Sequence, residues 1–257
     1  MSAFLTDKLV PASEQTSLRH LADTLAELPL DRSDQTIAAN LRLIRQLGEP
    51  ASLSALLTGI LADKEALGSI AARSYEHTNH FDKIVLMDSG SHLGYRLTLH
   101  LWNPPYSDAE AEDEQIHDHR FSFWSHVVLG TLTSQNFVRD GTGVPFGEHQ
   151  YIPEKLNDVA TVGNYYVHVG ASPLLETDRP SIPQGQSYAL DYAQIHRVLL
   201  PRSQPTCTLV LRGPRQKNYA SVFSNTQKYD PSANEMFSPD ELAGKLRFIL
   251  GRTASPQ

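Results

Sequence analysis

Leucine and isoleucine recur at helical spacing through the first third of the chain. Leu18, Leu21, Leu25 and Leu28 form one apolar stripe. Ile37, Leu41 and Ile44 form a second, with Ser33 as its N-cap and Gly48 as its stop. A third run extends from Ser52 through Leu56, Leu57, Ile60 and Leu61 towards Ala72, with Gly59 and Gly68 as weak points. The pattern predicts amphipathic helices that bury one face against another layer.

From about residue 84 the period changes. Short β-type runs alternate with Gly, Pro, Asn and Asp up to Gly213. The runs are Ile84–Met87, Tyr95–Trp102, Phe123–Leu129, Thr131–Val138, Tyr165–Val169, Gln186–Leu190, His196–Leu200 and Thr206–Arg212. Many short strands at this spacing predict a barrel or sandwich. Near the C-terminus the period returns to helical. Ser238 is an N-cap, Pro239 takes the first helical position, and Glu241 completes a capping box. Leu242, Leu246, Ile249 and Leu250 give the stripe, and Gly251 the expected end. The chain divides into a helical segment at 1–80, a barrel at 81–215 and an extension with a helix at 216–257, together one integrated domain.

Composition narrows the function classes. The 257 residues carry a net charge of −7, which argues against nucleic acid as a partner. Cys207 is the one cysteine, so no intrachain disulfide forms. No apolar run reaches the ~20 residues of a membrane span. Residues 1–10 lack the pattern of a signal peptide, and the expected location is the cytoplasm. The expected partner is a small molecule; the oligomeric state is not readable.

The chemistry concentrates in Gln115-Ile116-His117-Asp118-His119-Arg120. Residues two apart on a strand share a face, so His117 and His119 present paired imidazoles. Neutral imidazole suits iron, zinc, copper or nickel. By itself a His-x-His pair is weak evidence in a chain with 11 histidines. A third histidine, His196, lies in the β-type run Gln194-Ile195-His196-Arg197-Val198-Leu199-Leu200. Three such histidines on barrel strands form a facial set and leave coordination positions open.

The His-Asp-His motif, the β run ending Val127-Val128-Leu129-Gly130, and Ile195-His196-Arg197-Val198 together resemble the cysteine dioxygenase group of the cupin superfamily. Tyr95-Arg-Leu-Thr-Leu-His-Leu-Trp102 upstream extends the resemblance, as does the stretch from Pro205 to Pro214. It covers roughly residues 84–214. It implies a mainly β fold: a cupin-type β-barrel with N-terminal α-helices and a C-terminal helix. It also implies one mononuclear iron(II) ion on His117, His119 and His196, with O2 as co-substrate.

The departures are informative. The wider cupin pattern places a glutamate ligand where this chain has Phe123-Trp124-Ser125. His126, next to that position, is either a fourth ligand or a core histidine. Where thiol dioxygenases carry Ser, His and Tyr, this chain has Thr208, Val210 and Arg212. Their substrate-anchoring arginine is absent, and Lys83 is the nearest cation. Free cysteine is therefore disfavoured as substrate.

Alternation adds the remaining lining. Leu97, Leu99 and Leu101 share one face of their strand; Arg96, Thr98, His100 and Trp102 share the other. If the polar face points inward, Arg96 and Arg212 are clamps for a carboxylate, and His100 a substrate or ligand contact. The alternative for each arginine is a surface ion pair. The acidic run Ser107–Glu114 reads as a solvated loop or a lid. The expected activity is an iron(II)- and O2-dependent oxygenase acting on a small amino acid or other carboxylate. The alternatives are an oxygen-independent metal-dependent isomerase or lyase, and a non-catalytic binding cupin.

Overall fold

The computed structural model describes residues 18–89, 94–152, 166–225 and 234–253. The expectations for residues 1–10 and Tyr165 lie outside that range. In chain order the described elements begin with α1 (Leu18–Ala26), α2 (Asp34–Gly48), α3 (Pro50–Ala62) and α4 (Lys64–Ala71). The strands β1 (Tyr75–His77), β2 (Phe81–Asp88) and β3 (Arg96–Trp102) follow, then α5 (Asp108–Asp113). Next come β4 (Ile116–His117), β5 (Phe121–Leu129), β6 (Thr131–Tyr151), β7 (Tyr166–Asp178), β8 (Ser181–Pro183) and β9 (Ser187–Leu190). The chain continues through β10 (Ile195–Leu199), β11 (Thr206–Arg215), β12 (Ala220–Ser224) and α6 (Pro239–Thr253).

The strands pair antiparallel in two sheets. The first has the order β1-β2-β3-β11-β5-β9; the second has β10-β4-β12-β6-β7, with β8 on β6 and a further β10–β6 pairing. From β3 onward the chain crosses between sheets at almost every step, with the β6–β7 ribbon at its fold-back point. This wound, double-sheet path is that of a cupin-type β-barrel. The protein is mainly β, with helices before the barrel and one after it.

Side-chain alternation decides what each face of the first sheet meets. Leu97, Leu99 and Leu101 of β3 and Cys207, Leu209 and Leu211 of β11 join one core cluster with Leu53, Leu57, Ile60, Leu242, Leu246 and Ile249 of the helices. Each aliphatic side chain buried there contributes about 2 kcal/mol. The opposite face carries Thr98, His100 and Trp102, paired in register with Val210, Thr208 and Thr206 of β11. It turns into the barrel. There Phe81, Trp102, Val127 and Leu132 cluster with Tyr106, Tyr188 and Val198.

Local chemistry accounts for most element ends. Ser33 accepts a hydrogen bond from the Thr36 amide and starts α2. Ser238 and Glu241 form the expected capping box of α6. That helix runs through Gly251 to Thr253 instead of stopping there. The third predicted helix is two, and it breaks at neither glycine. Asp63 separates them by accepting from the Glu65 and Ala66 amides, each at 3.0 Å, so its side chain caps α4. The acidic run forms a one-and-a-half-turn helix, α5, with its own capping box between Ser107 and Glu110. Strands overrun the 81–215 stretch at both ends, through β1 and β12. Among the described residues no helix is long and apolar enough to cross a membrane.

Candidate metal centre

Two of the three histidines reach the centre from strands. β4 consists of Ile116 and His117 alone. It is held on one side by β10, where His196 pairs with His117, and on the other by β12, where Val222 pairs with His117. Ile116 points outward to Phe137, Ile195 and Phe223, which turns His117 into the barrel. His196 alternates with Ile195 for the same reason.

His119 arrives differently from the sequence expectation. It lies beyond the end of β4, so strand alternation does not position it. Its amide donates to the Tyr192 carbonyl at 3.0 Å, and the Asp118 amide donates to the Ser221 carbonyl at 3.0 Å. The Asp118 carboxylate, 4% exposed as a side chain, accepts from the Ser221 amide at 2.7 Å and pairs with Lys217 Nζ at 2.6 Å. Asp118 thus faces away from the two imidazoles and pins the segment that carries them.

The three imidazoles converge. One nitrogen from each of His117, His119 and His196 lies within 4.8 Å of the others. His119 Nε2 and His196 Nε2 are 2.9 Å apart. The neutral His117 ring donates through Nδ1 to the Gln115 carbonyl at 2.9 Å, so its Nε2 carries the lone pair. Burial holds the imidazoles of His119 and His196 well below the ordinary histidine range and lowers that of His117 as well. All three are neutral at pH 7. Nitrogens about 2.1 Å from one ion at right angles stand roughly 3.0 Å apart, which is the spacing of the His119 and His196 pair, with His117 as the third donor within 4.8 Å.

Phe121 and Phe123 pack on the His119 ring, with centroids at 5.6 and 5.1 Å. Tyr188, opposite Ser125 across β5 and β9, closes the same wall, and burial pushes its phenol up to about 12.

The remaining predicted residues separate into two groups. Arg96 ion-pairs with Asp88. Arg212 is buried, donates to the Gly94 carbonyl at 2.9 Å, and lies 5.2 Å from the Phe121 ring centroid. Burial, reinforced by Arg96, lowers its guanidinium to about 10. Both arginines therefore have partners within the protein.

Lys83 and His100 are paired in register on β2 and β3. Among the described residues no carboxylate lies in ion-pairing range of the Lys83 ammonium, which stands 5.7 Å from the Tyr75 ring centroid. His100 Nε2 lies 3.1 Å from Thr98 Oγ1, and its ring packs at 4.4 Å on Phe81. Register partners share a face, so Lys83 lies on the His100 face of the sheet, and its charge adds to burial in lowering His100.

His77 was not anticipated. β1 is three residues long and has no readable periodicity. Its ring stacks on Phe81 at 4.5 Å, and its Nδ1 accepts from the Asn79 amide. The neutral ring therefore carries its proton on Nε2. His126, the reserve ligand, faces the other way. It bonds to Ser187 Oγ at 2.7 Å and fits against Gly48 of α2, on the helical side of the sheet.

No family model matches the sequence, and no curated protein matches it. Solved structures with a similar path include DMSP lyases at 15% identity, covering 54% of this chain and 48% of theirs, with a TM-score of 0.29. A hydroquinone 1,2-dioxygenase in complex with Cd2+ shares 13% identity over 68% of this chain and 76% of its own, with a TM-score of 0.29. The hydroxypropylphosphonic acid epoxidase from S. wedmorenis shares 9% identity over 77% of this chain and 99% of its own, with a TM-score of 0.30. The chain spans about half the length of the DMSP lyase it matches. Scores this low carry no information on activity.

Proposed function

We propose that the protein is an iron(II)- and O2-dependent oxygenase whose metal rests on His117, His119 and His196 and whose substrate is a small carboxylate, amino acids included. The observation that carries this reading is the convergence of three neutral imidazoles within 4.8 Å, in a group that contains no carboxylate. Bound iron(II) supplies adjacent open positions for substrate and O2. The chain supplies the rest. Phe121, Phe123 and Tyr188 keep water from the centre. Lys83 offers a carboxylate its counter-charge, whereas Arg96 and Arg212 are held by Asp88 and Gly94. Trp102 Nε1, buried and without a hydrogen-bond partner among the described residues, is a donor available to a bound polar group.

The test is anaerobic loading of chelator-treated protein with iron(II), followed by O2-electrode measurements against a panel of amino and hydroxy acids. One equivalent of iron at the triad and O2 uptake only with a matching acid are expected. Turnover that persists without O2 would select an isomerase or lyase instead. A triad that takes no metal would leave the barrel a binding protein.

A further inference from the structure

The register of the second sheet places a second pair of histidines in line with the first group. His196 pairs with His117, His117 with Val222, Val222 with His149, and His149 with His168. Register partners on antiparallel strands point to the same face. Four imidazoles and one valine therefore form a single file across β10, β4, β12, β6 and β7. The file runs from the buried barrel interior out to the β6–β7 ribbon, where His149 is half-buried and His168 exposed. Strands lie about 4.8 Å apart, so His149 stands roughly 10 Å from His117, too far to share an ion with it.

The outer pair has the features of a ligand pair. The ring centroids of His149 and His168 are 4.9 Å apart, matching the 4.8–5.1 Å separations inside the triad. Burial, with the neighbouring His168, lowers the His149 imidazole, and a neutral ring keeps one lone-pair nitrogen for a cation. Gly147 lies beside both rings, although the closest atom to a Cβ there would be the Ser224 carbonyl oxygen at 2.8 Å. A Cβ there would sit 3.3 Å from His149 Cε1 and 3.8 Å from His168 Cε1.

We infer that His149 and His168 form a second transition-metal site, separate from the triad, that takes a late first-row divalent ion such as zinc, nickel or copper. Two imidazoles supply the protein donors, and solvent completes the coordination at this exposed position. The site does not depend on the oxygenase reading.

Zinc titration of chelator-treated full-length protein, followed calorimetrically, tests it. Wild type should bind two equivalents, and His149→Gln, His168→Gln and His196→Ala one each. Two equivalents in both wild type and His168→Gln would overturn the site, as would one equivalent in both. One equivalent in wild type and none in His168→Gln would uphold the pair while removing the triad. Copper(II) EPR on the wild type needs no variant. It should show a signal coupled to two nitrogens in protein whose triad has first been filled with zinc, and its absence would overturn the assignment.

Discussion

His119 Nε2 and His196 Nε2 stand 2.9 Å apart although 77 residues of chain separate them. Two such nitrogens cannot both present lone pairs to each other. Without a cation, one must carry a proton and donate; with a cation, both lone pairs turn to it. Metal binding and the folded geometry are therefore linked. Saturating iron(II), added anaerobically, should raise the melting temperature of wild type by roughly 5–10 °C at 100- to 1,000-fold excess over Kd. His196→Ala should lower iron affinity by about 100-fold or more and abolish most of that rise, as read by differential scanning calorimetry.

The metal-free protein should lose stability on mild acidification. His77, His100, His119 and His196 are held well below 6.5 by burial, and His117 is lowered too. Unfolded, each takes up a proton near pH 6.5. The unfolded chain therefore binds more protons in this window, and the stabilising contribution is complete above pH 6.5 and lost as pH falls towards the folded values. The melting temperature should drop by roughly 5 °C or more between pH 7.5 and 5.5. A flat profile would mean that these rings are not buried neutral.

Lys83→Met should separate metal binding from substrate binding. The substitution keeps the apolar stem and removes the charge. Iron stoichiometry should stay unchanged, while KM for a carboxylate substrate should rise by roughly 10- to 100-fold, equivalent to about 1.5–3 kcal/mol for a charged hydrogen bond. An unchanged KM would place the substrate's charge elsewhere.

Asp118→Asn should weaken both the fold and the site. It keeps the size of the side chain but breaks the pair with Lys217 and leaves that ammonium, 18% exposed, without its counter-charge. The loss should be about 2 kcal/mol, below the value for a fully buried pair because Lys217 reaches solvent. Iron affinity should fall by roughly tenfold, since Asp118 fixes the segment that carries His117 and His119. Chemical denaturation and iron titration read the two effects separately.

Gly48→Ala tests the seating of α2 on the sheet. The added methyl would lie 2.2 Å from His126 Cδ2, so the ring must leave its bond to Ser187 or the helix must shift. A loss of about 1–3 kcal/mol is expected. Metal affinity should change little, because His126 lies on the helical side of the sheet.

The parts that were legible in the sequence are those where one local rule acts over enough residues. The stripes of α2 and α6 and their caps are examples, as is the alternation of β3 and β11. His117 and His196 were legible from the paired-histidine spacing and from the β-type run around residue 196, and in the structure each alternates with an isoleucine on the opposite face. His119 was placed by the right spacing for an incomplete reason: backbone bonds to Tyr192 and Ser221, distant in sequence, hold it rather than a strand. β1 and β4 are too short to show a period, so His77 carried no signal. Asp140-Gly-Thr-Gly143 has turn composition, yet β6 runs on to Tyr151. The segment bulges where the Asp140 carboxylate accepts from the Thr142 amide at 2.8 Å, and pairing resumes at Val144. The His149–His168 pair lies beyond that bulge, in a register that no local pattern specifies.

The repeated crossing between sheets has a consequence for synthesis. β4 finds its neighbours only in β10 and β12, so the first two imidazoles are made long before the strands that frame them. A nascent chain that ends before residue 196 holds an incomplete donor set on an unpaired two-residue strand. An ion on the triad would be retained only after nearly the whole barrel has been wound. Ion uptake would then mark the completion of folding rather than nucleate it, and fragments released early would leave the ribosome empty-handed.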